Sequence, residues 1–439
     1  MKKVLIAFIA LFSILWALDA FMHPIAGGDL LWQWRNYLLY YTGVVSFALM
    51  GLVMLLATRP VWAERWVGGM DQVYQLHKWA GIWAVLFAVS HWLIKLSKPL
   101  IVALIGNANR ATKTPLLSFF SDYKSLAKSL GEWAIYAAII MLVLTLWRSF
   151  PYKFWRHLHR IMPVLFLMVG FHALVLMPLS YWTQPIGLGL VTMLGLGLYG
   201  AWQALTQRIG MRHRYLAQVV QCELGQDQVL FLRAQVDARW PNHQPGQFAF
   251  ICFDRQEGAH PFTIASAPHA DGHIDFRIKA LGDYTQKMAA KMRPHMFFEI
   301  EGPYGQFALD RINLQREQIW IAGGIGITPF IAWLEALIMQ PQAVTAQLHY
   351  CIDRAEDSAA CHYLQQLVAQ LPTIHLSIHE SAKGQRLTPE LLMSTMSTTQ
   401  NYELWFCGPT GLLHALEATL KQKFDREQLT IHSEAFQMR

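Results

Sequence analysis

Four histidines lie within apolar segments of this 439-residue chain, as two pairs, His77 with His91 and His159 with His172. An ionisable side chain in such surroundings is costly and marks a functional site by default. The members of the pairs are 14 and 13 residues apart. At about 1.5 Å per helical residue, each spacing separates two imidazoles by roughly 20 Å. In two helices that run the same way, His77 is level with His159 and His91 with His172. Two imidazoles at each of two levels suit axial ligation of two haem irons. A copper or zinc ion shared between levels does not fit a gap of roughly 20 Å. Fourteen residues return to within about 40° of one helix face, whereas thirteen leave a mismatch of about 140°. A straight helix would therefore pair His172 with His157, and Pro163 must kink or rephase it for His159 to serve. Any one of these histidines alone fits a hydrogen-bonded interfacial residue equally well.

A second group of motifs lies further along. In His260-Pro261-Phe262-Thr263-Ile264-Ala265-Ser266-Ala267-Pro268 an aromatic ring stands beside a hydroxyl. That combination suits a flavin, which needs a packing surface and a hydrogen bond to a ring nitrogen. Arg277 and Lys279 alternate with Phe276 and Ile278, so both cations share one strand face. Gly282-Asp283-Tyr284-Thr285 then reads as a turn opening a helix. Its free N–H groups and the two cations could hold a pyrophosphate, although a solvated face with an ordinary cap is the plainer reading. Ile319–Ala322 runs as a strand into Gly323-Gly324-Ile325-Gly326-Ile327-Thr328-Pro329-Phe330 and a helix. Glycines there allow close backbone approach, and a helix start favours phosphate. Beyond the strand ending at Ile352, Arg354 could pair with a 2′-phosphate and favour NADPH. Asp353 beside it could bind a ribose 2′-hydroxyl and favour NADH.

These residues need elements to carry them. Hydrophobic residues make up 54% of the chain and charged residues 15%, against about 25% charged in soluble domains, which excludes disorder. Six segments approach the roughly 20 apolar residues of a membrane span. They are Val4–Met22, Tyr37–Ala57, His77–Lys95, Glu132–Trp147, His159–Met177 and Ile186–Leu205. The first, behind Met1-Lys2-Lys3, fits a signal peptide as the alternative, but is read as a retained span because its apolar run is long and no A-x-A site closes it. From Tyr215 the pattern changes. Val229–Ala234, Gln247–Phe253 and His273–Ala280 read as strands, followed by Ile319–Ala322, Ala346–Ile352, Ile374–His379 and Glu403–Cys407 with helices between. A small antiparallel β-barrel followed by a parallel α/β domain is expected.

The formal charge of +7 resolves into +13 over residues 1–215 and −6 over residues 216–439. The basic excess sits between apolar segments, which argues for positive-inside loops and against nucleic acid as a partner. Arg59 and Arg65, then Arg148, Lys153, Arg156 and Arg160, then Arg208, Arg212 and Arg214 mark the cytoplasmic loops, with both termini inside. Leu96–Leu130 should lie outside, yet it carries Lys98, Arg110, Lys113, Lys124 and Lys128 against Asp122. It could attract an anionic substrate or rest on lipid headgroups. The five cysteines form no C-x-x-C pair and all fall after residue 216. That argues against a zinc ribbon or iron–sulfur cluster and for a reducing compartment.

His77, His91 and the Trp155-Arg156-His157-Leu158-His159-Arg160…His172 stretch resemble the ferric reductase transmembrane domain shared by NADPH oxidases and ferric-chelate reductases. The resemblance covers roughly residues 40–205 and implies two b-type haems, with the Leu-His-Arg context selecting His159. The His260–Pro268 string resembles the flavin signature of the NADPH oxidase and ferredoxin reductase families. It implies Thr263 near the reactive flavin nitrogen and His260, Pro261 and Phe262 lining FAD. Gly282 and Thr285 match the family's Gly-Asp-aromatic-Thr. Glu301-Gly302-Pro303-Tyr304-Gly305 looks like its linker from barrel to nucleotide domain. Gly323, Gly324, Gly326, Thr328 and Pro329 resemble the NAD(P)H pyrophosphate loop, and Cys407, Gly408 and Pro409 the motif beside the nicotinamide. Phe436 resembles the terminal aromatic that covers the flavin, here followed by three more residues.

The reading is a multi-domain membrane protein. It comprises a six-helix haem domain (1–210), an FAD-binding β-barrel (211–310) and an NAD(P)H-binding α/β domain (311–439). It would sit in the inner (cell) membrane, with the dehydrogenase half cytoplasmic. Electrons would pass from NAD(P)H through FAD, an inner haem on His77/His159 and an outer haem on His91/His172 to dioxygen or a ferric chelate. The alternative is a relay feeding a periplasmic partner protein.

Overall fold

The computed structural model describes residues 1–434 apart from 113, 148, 255, 256 and 281. Among the described residues, six helical stretches are long and apolar enough to cross a membrane. The helices of this half are α1 (Lys2–Met22), α2 (Leu30–Leu56), α3 (Val61–Val67), α4 (Met70–Leu96), α5 (Lys98–Ile105), α6 (Lys124–Leu146), α7 (Tyr152–His159), α8 (Met162–Val175) and α9 (Pro185–Leu205). Several begin well before the apolar segment read from sequence. Hydropathy marks only the part that lipid solvates, while residues such as Gln33, Arg35 and Asn36 continue the same helix beyond it.

Helix α2 is the most enclosed of them, with Val44 to Leu49 buried without a break. A Cβ at Gly51 would come within 2.7 Å of the Met193 carbonyl on α9, and one at Gly200 would strike Met54 of α2. The two helices therefore touch backbone to backbone, as small residues permit where lipid gives no hydrophobic drive. Phe47 stacks on Phe166 at 6.0 Å in the shared core. The fifth stretch is two helices, broken at Arg160–Ile161, with Pro163 in the first turn of α8. Proline does not kink a continuous helix here. It opens a new one, where its missing N–H has no intrahelical acceptor to lose.

The second half begins with strands β1 (Arg214–Leu224), β2 (Val229–Val236), β3 (Phe248–Cys252), β4 (His260–Thr263), β5 (His273–Lys279) and β6 (Phe297–Tyr304), with α10 (Asp283–Lys291) before β6. They form one antiparallel sheet in the order β4-β3-β6-β1-β2-β5. An Ile264–Phe276 bridge and Ala265 N–H donating to Asp275 O at 2.7 Å join its edges into a nearly closed barrel. Leu230, Leu232, Ala234 and Val236 alternate inward along β2. Two segments differ from the sequence reading. His260–Thr263 is itself a strand rather than the stretch after one. Gly302-Pro303 lies inside β6 as a bulge, where the register to β3 shifts between Phe248 and Phe250. A proline without an N–H is accommodated at such an irregularity.

Next come β7 (Glu317–Gly323), α11 (Thr328–Met339), β8 (Ala346–Ile352), α12 (Ala359–Val368), β9 (Ile374–Glu380), α13 (Pro389–Ser394), β10 (Tyr402–Cys407), α14 (Thr410–Lys423) and β11 (Leu429–Ser433). The five strands are parallel in the order β11-β10-β7-β8-β9. Apolar cores cover both faces, which is why β7 and β10 are almost continuously buried. The chain divides into two compact units, Met1–Gly68 with Gln72–Ile209, and Gly210–Arg439 with Gly69–Asp71.

Candidate functional site

In the helical unit, the ring of His77 on α4 lies 6.1 Å from that of His159 on α7. His91 on α4 lies 6.3 Å from His172 on α8. A metal–imidazole bond is about 2 Å, so an iron between two such rings accounts for roughly 4 Å of either distance and the half-rings for the remainder. The ring nitrogens have distinct tasks. His77 Nδ1–H donates to Val53 O at 3.1 Å and His91 Nδ1–H to Leu39 O at 2.9 Å, both on α2. His172 Nδ1–H donates to Ala127 O on α6 at 2.8 Å. Each bond leaves Nε2 unprotonated as the ligating atom and fixes the ring, as second-shell acceptors do for metal-bound histidine. His159 is the exception. Its buried Nδ1 has no hydrogen-bond partner among the described residues, and its ring stacks on Trp155 at 4.8 Å. Trp155 is in turn held by Nε1–H donating to Thr145 Oγ1 at 2.9 Å.

Glycines seat two of these rings. A Cβ at Gly131 would strike His172, coming within 2.7 Å of Cε1, and one at Gly43 would lie 3.1 Å from His91 Nδ1. The donor set, the separations and the seats all fit two bis-imidazole haem sites. The break between α7 and α8 lets His159 and His172 each face a partner although they are thirteen residues apart.

In the second unit, Thr263 ends β4 almost fully buried. The turn after it is held tightly. Ser266 Oγ accepts from Asp275 N–H at 3.1 Å, and His243 Nε2–H donates to Ser266 O at 2.9 Å. Ala267 N–H donates to Glu335 on α11 at 2.9 Å. His260 stacks on Tyr284 at 3.9 Å, and Pro261 and Phe262 are half-buried along the same strand. Arg277 and Lys279 do share a face of β5, but they differ in setting. Lys279 is exposed. The Arg277 guanidinium lies between Phe231 and Tyr363, 5.1 and 5.0 Å from their rings, and its buried Nε has no partner among the described residues. Burial holds its pKa below the usual arginine value. An arginine with an orphaned donor fits a phosphate-bearing cofactor such as FAD. Gly282 N–H donates to Thr285 Oγ1 at 3.1 Å, capping α10.

The two glycine-bearing motifs of the parallel sheet meet where its strand order reverses, between β7 and β10. A Cβ at Gly323 would lie 3.3 Å from Gly408 Cα, and one at Gly326 would strike the Cys407 carbonyl. Thr328 and Pro329 start α11 directly beyond, with Thr328 N–H turned back to Ile325 O and Pro329 carrying no N–H, so the glycine backbone before them is what approaches the strand ends most closely. Cys407 is buried, and burial pushes its thiol pKa up. Glu434 is a further carboxylate at this site. A Cβ at Gly305 would lie 3.1 Å from its Oε1, and its charge adds to the rise at Cys407. Its only sequence signal is an acid just beyond the apolar strand β11. Arg354 is exposed past the end of β8, while the neighbouring Asp353 accepts a 2.7 Å hydrogen bond from Ser381. Phe436 lies outside the described residues, as do Arg148 and Lys113. All five cysteines are free.

Comparison with known proteins agrees with both halves. Residues 42–170 match the ferric reductase like transmembrane component family, and residues 214–308 match an FAD-binding domain family. Over 294 residues the chain is 26% identical to the dual oxidase of Drosophila melanogaster, covering 61% of this chain and 18% of that protein. It is 24% identical over 240 residues to the heavy chain of the superoxide-generating NADPH oxidase of Dictyostelium discoideum, covering 48% and 44%. To the carnitine monooxygenase reductase of Escherichia coli it is 34% identical over 137 residues, covering 31% and 40%. The chain spans less than two thirds of the length of each of these relatives. Helices and sheets of this kind define a multi-pass membrane protein joined to a flavin reductase. The chain belongs to the NADPH oxidase/ferric reductase superfamily of oxidoreductases, with a ferric reductase-like transmembrane region and an FAD-binding reductase region fused in one polypeptide.

Proposed function

We propose that the protein carries electrons from cytoplasmic NADPH through FAD and two b-type haems to an acceptor on the other side of the cell membrane, either dioxygen, giving superoxide, or a ferric chelate. The observation that carries this reading is the presence of two facing imidazole pairs, at 6.1 and 6.3 Å, in a helical unit fused to a flavin reductase. The parts divide as residues 1–210 for haem, 211–310 for FAD and 311–439 for NADPH. When bound, these groups supply the conversion of a two-electron hydride donor into single electrons.

The chain's own residues bind and orient. His77 with His159, and His91 with His172, would hold the haem irons, and the Nδ1 hydrogen bonds of His77, His91 and His172 leave their Nε2 atoms free for that task. Thr263 offers its hydroxyl to the flavin ring, and His260, Pro261 and Phe262 form the wall beside it. Arg277, Lys279, Gly282 and Thr285 take the FAD pyrophosphate. Gly323, Gly324, Gly326, Thr328 and Pro329 take that of NADPH. Cys407, Gly408, Pro409, Glu434 and Phe436 border the nicotinamide, and Cys407 stays a neutral thiol because burial disfavours its thiolate. Arg354 pairs with the 2′-phosphate. Asp353, engaged by Ser381, is less available for a ribose hydroxyl, which supports NADPH over NADH.

The experiment is NADPH-driven reduction of cytochrome c with and without superoxide dismutase, beside reduction of a ferric chelate in the same sample. Dismutase-sensitive reduction assigns the oxidase activity. Dismutase-insensitive reduction with a fast chelate rate assigns the ferric reductase. Purified protein without haem overturns the proposal.

A further inference from the structure

The basic loop that broke the charge pattern places one of its cations in a specific setting. Arg110 lies over the indole of Trp32, 5.2 Å from the ring centroid, and Arg35 lies over the same ring at 5.9 Å. Two guanidinium groups thus share one aromatic ring, and among the described residues no carboxylate pairs with either. The neighbouring cation differs, because Lys95 is paired with Glu132. Two donors of the cluster are also orphaned. Trp32 is 4% exposed, and among the described residues neither its Nε1 nor the buried Nε of Arg35 has an acceptor. Like charges held together beside unsatisfied buried donors are costly unless an anion completes the group.

The arrangement is built by the backbone. Asp29 N–H donates to Asn109 O at 2.9 Å, and Thr112 N–H donates to Ala26 O at 3.1 Å. Arg110 therefore sits on a loop anchored on both sides to the segment before α2. Gly28, with φ of +77°, allows the approach, since a Cβ there would strike the Ala111 backbone. Arg35 stands one helical turn before Leu39, whose carbonyl holds His91. Its Nη2 donates at 3.0 Å to the carbonyl of Lys95, one turn beyond His91 on α4.

We propose that Trp32, Arg35 and Arg110 form a carboxylate-binding site at the end of the helical unit beside His91. Arg35 and Arg110 supply charge and forked N–H donors, and the indole Nε1–H completes the donor set. This rests on the functional reading above in taking that end as the acceptor side. A carboxylate can come from two sources, namely an anionic carboxylate chelate of ferric iron or the side chains of the haem on His91 and His172.

Full-length oxidised protein, as purified, is titrated with iron-free citrate by calorimetry. Citrate is expected to bind, and Arg110→Gln and Trp32→Phe are each expected to weaken it about tenfold. Lys124→Gln, which alters the same loop's charge away from the indole, is expected to leave it unchanged. Binding needs no electron transfer, so the result stands even if the protein proves to carry no haem. If citrate does not bind but Arg110→Gln and Arg35→Gln shift the midpoint potential of one haem or speed its loss on dilution, the site is the haem's own and the proposal holds with that occupant. The proposal is overturned if neither citrate binding nor haem potential and retention respond to Arg110→Gln and Trp32→Phe. It is equally overturned if Lys124→Gln weakens citrate as much.

Discussion

Gly131 and Gly43 touch the two histidines of one level, but they leave different room. A Cβ at Gly131 would come within 2.7 Å of His172 Cε1, closer than ring atoms tolerate, whereas at Gly43 the nearest atom of His91 is 3.1 Å away. Gly131→Ala is therefore expected to lower haem content from two per chain toward one, with flavin content unchanged. Gly43→Ala is expected to retain both haems, and pyridine haemochrome assay against flavin absorbance checks the pair. At the other end of the chain, Arg354→Gln is expected to raise KM for NADPH about tenfold, because one charged phosphate contact is lost. KM for NADH should not change, as measured by stopped-flow flavin reduction with each donor. None of these residues announces its partner in the sequence. A glycine beside a histidine ring looks like any other helical glycine until two helices are packed.

Elements decide what single residues can reach. The 14-residue spacing of His77 and His91 recurs between Val53 and Leu39, the two carbonyls of α2 that hold them. Two antiparallel helices in contact give that match without further device, and the levels were legible for the same reason, since helical rise is constant. The phase of His159 was not legible, because it depends on where α7 stops and α8 starts. Glu335 joins the barrel to the parallel sheet, accepting from Ala267 N–H at 2.9 Å and from Tyr363 Oη–H at 2.7 Å. Burial raises its pKa despite these bonds. A carboxyl whose folded pKa is raised contributes stability below its unfolded pKa of about 4.3 and loses it as pH rises through the folded value. In Glu335→Gln the amide oxygen can accept from Ala267 N–H while the amide NH2 donates to Tyr363 Oη, and the buried charge is removed. It is expected to raise the temperature of flavin release by about 2–4 °C at pH 8 and by about zero at pH 4.

On the proposed function the whole molecule is a chain of carriers, and its order can be read by breaking it. His172→Ala is expected to leave NADPH-driven flavin bleaching intact while external acceptor reduction falls at least about a hundredfold. Flavin absorbance and acceptor reduction, followed in one stopped-flow experiment, check the prediction. If both fall together, the histidines of that level lie upstream of the flavin. The division of charge belongs to this scale too. The net of +13 on the helical half and −6 on the remainder separates a lipid-facing part from a nucleotide-binding one. That separation needed no coordinates.

Apolar length, histidine spacing and the glycine strings were sufficient in sequence to define six spans, two levels of imidazole and a dinucleotide fold. Each of these depends on contacts a few residues apart or on a fixed rise per residue. The Leu-His-Arg context already favoured His159, but tertiary structure alone decided that a helix break, not a kink, brings it to His77, that Gly302-Pro303 is a bulge within a strand, and that Glu434 comes to Cys407. It also brought Arg35 and Arg110 to one indole from positions 75 residues apart. Those outcomes depend on long-range packing, where helix ends, strand register and loop anchors set positions that no local pattern encodes.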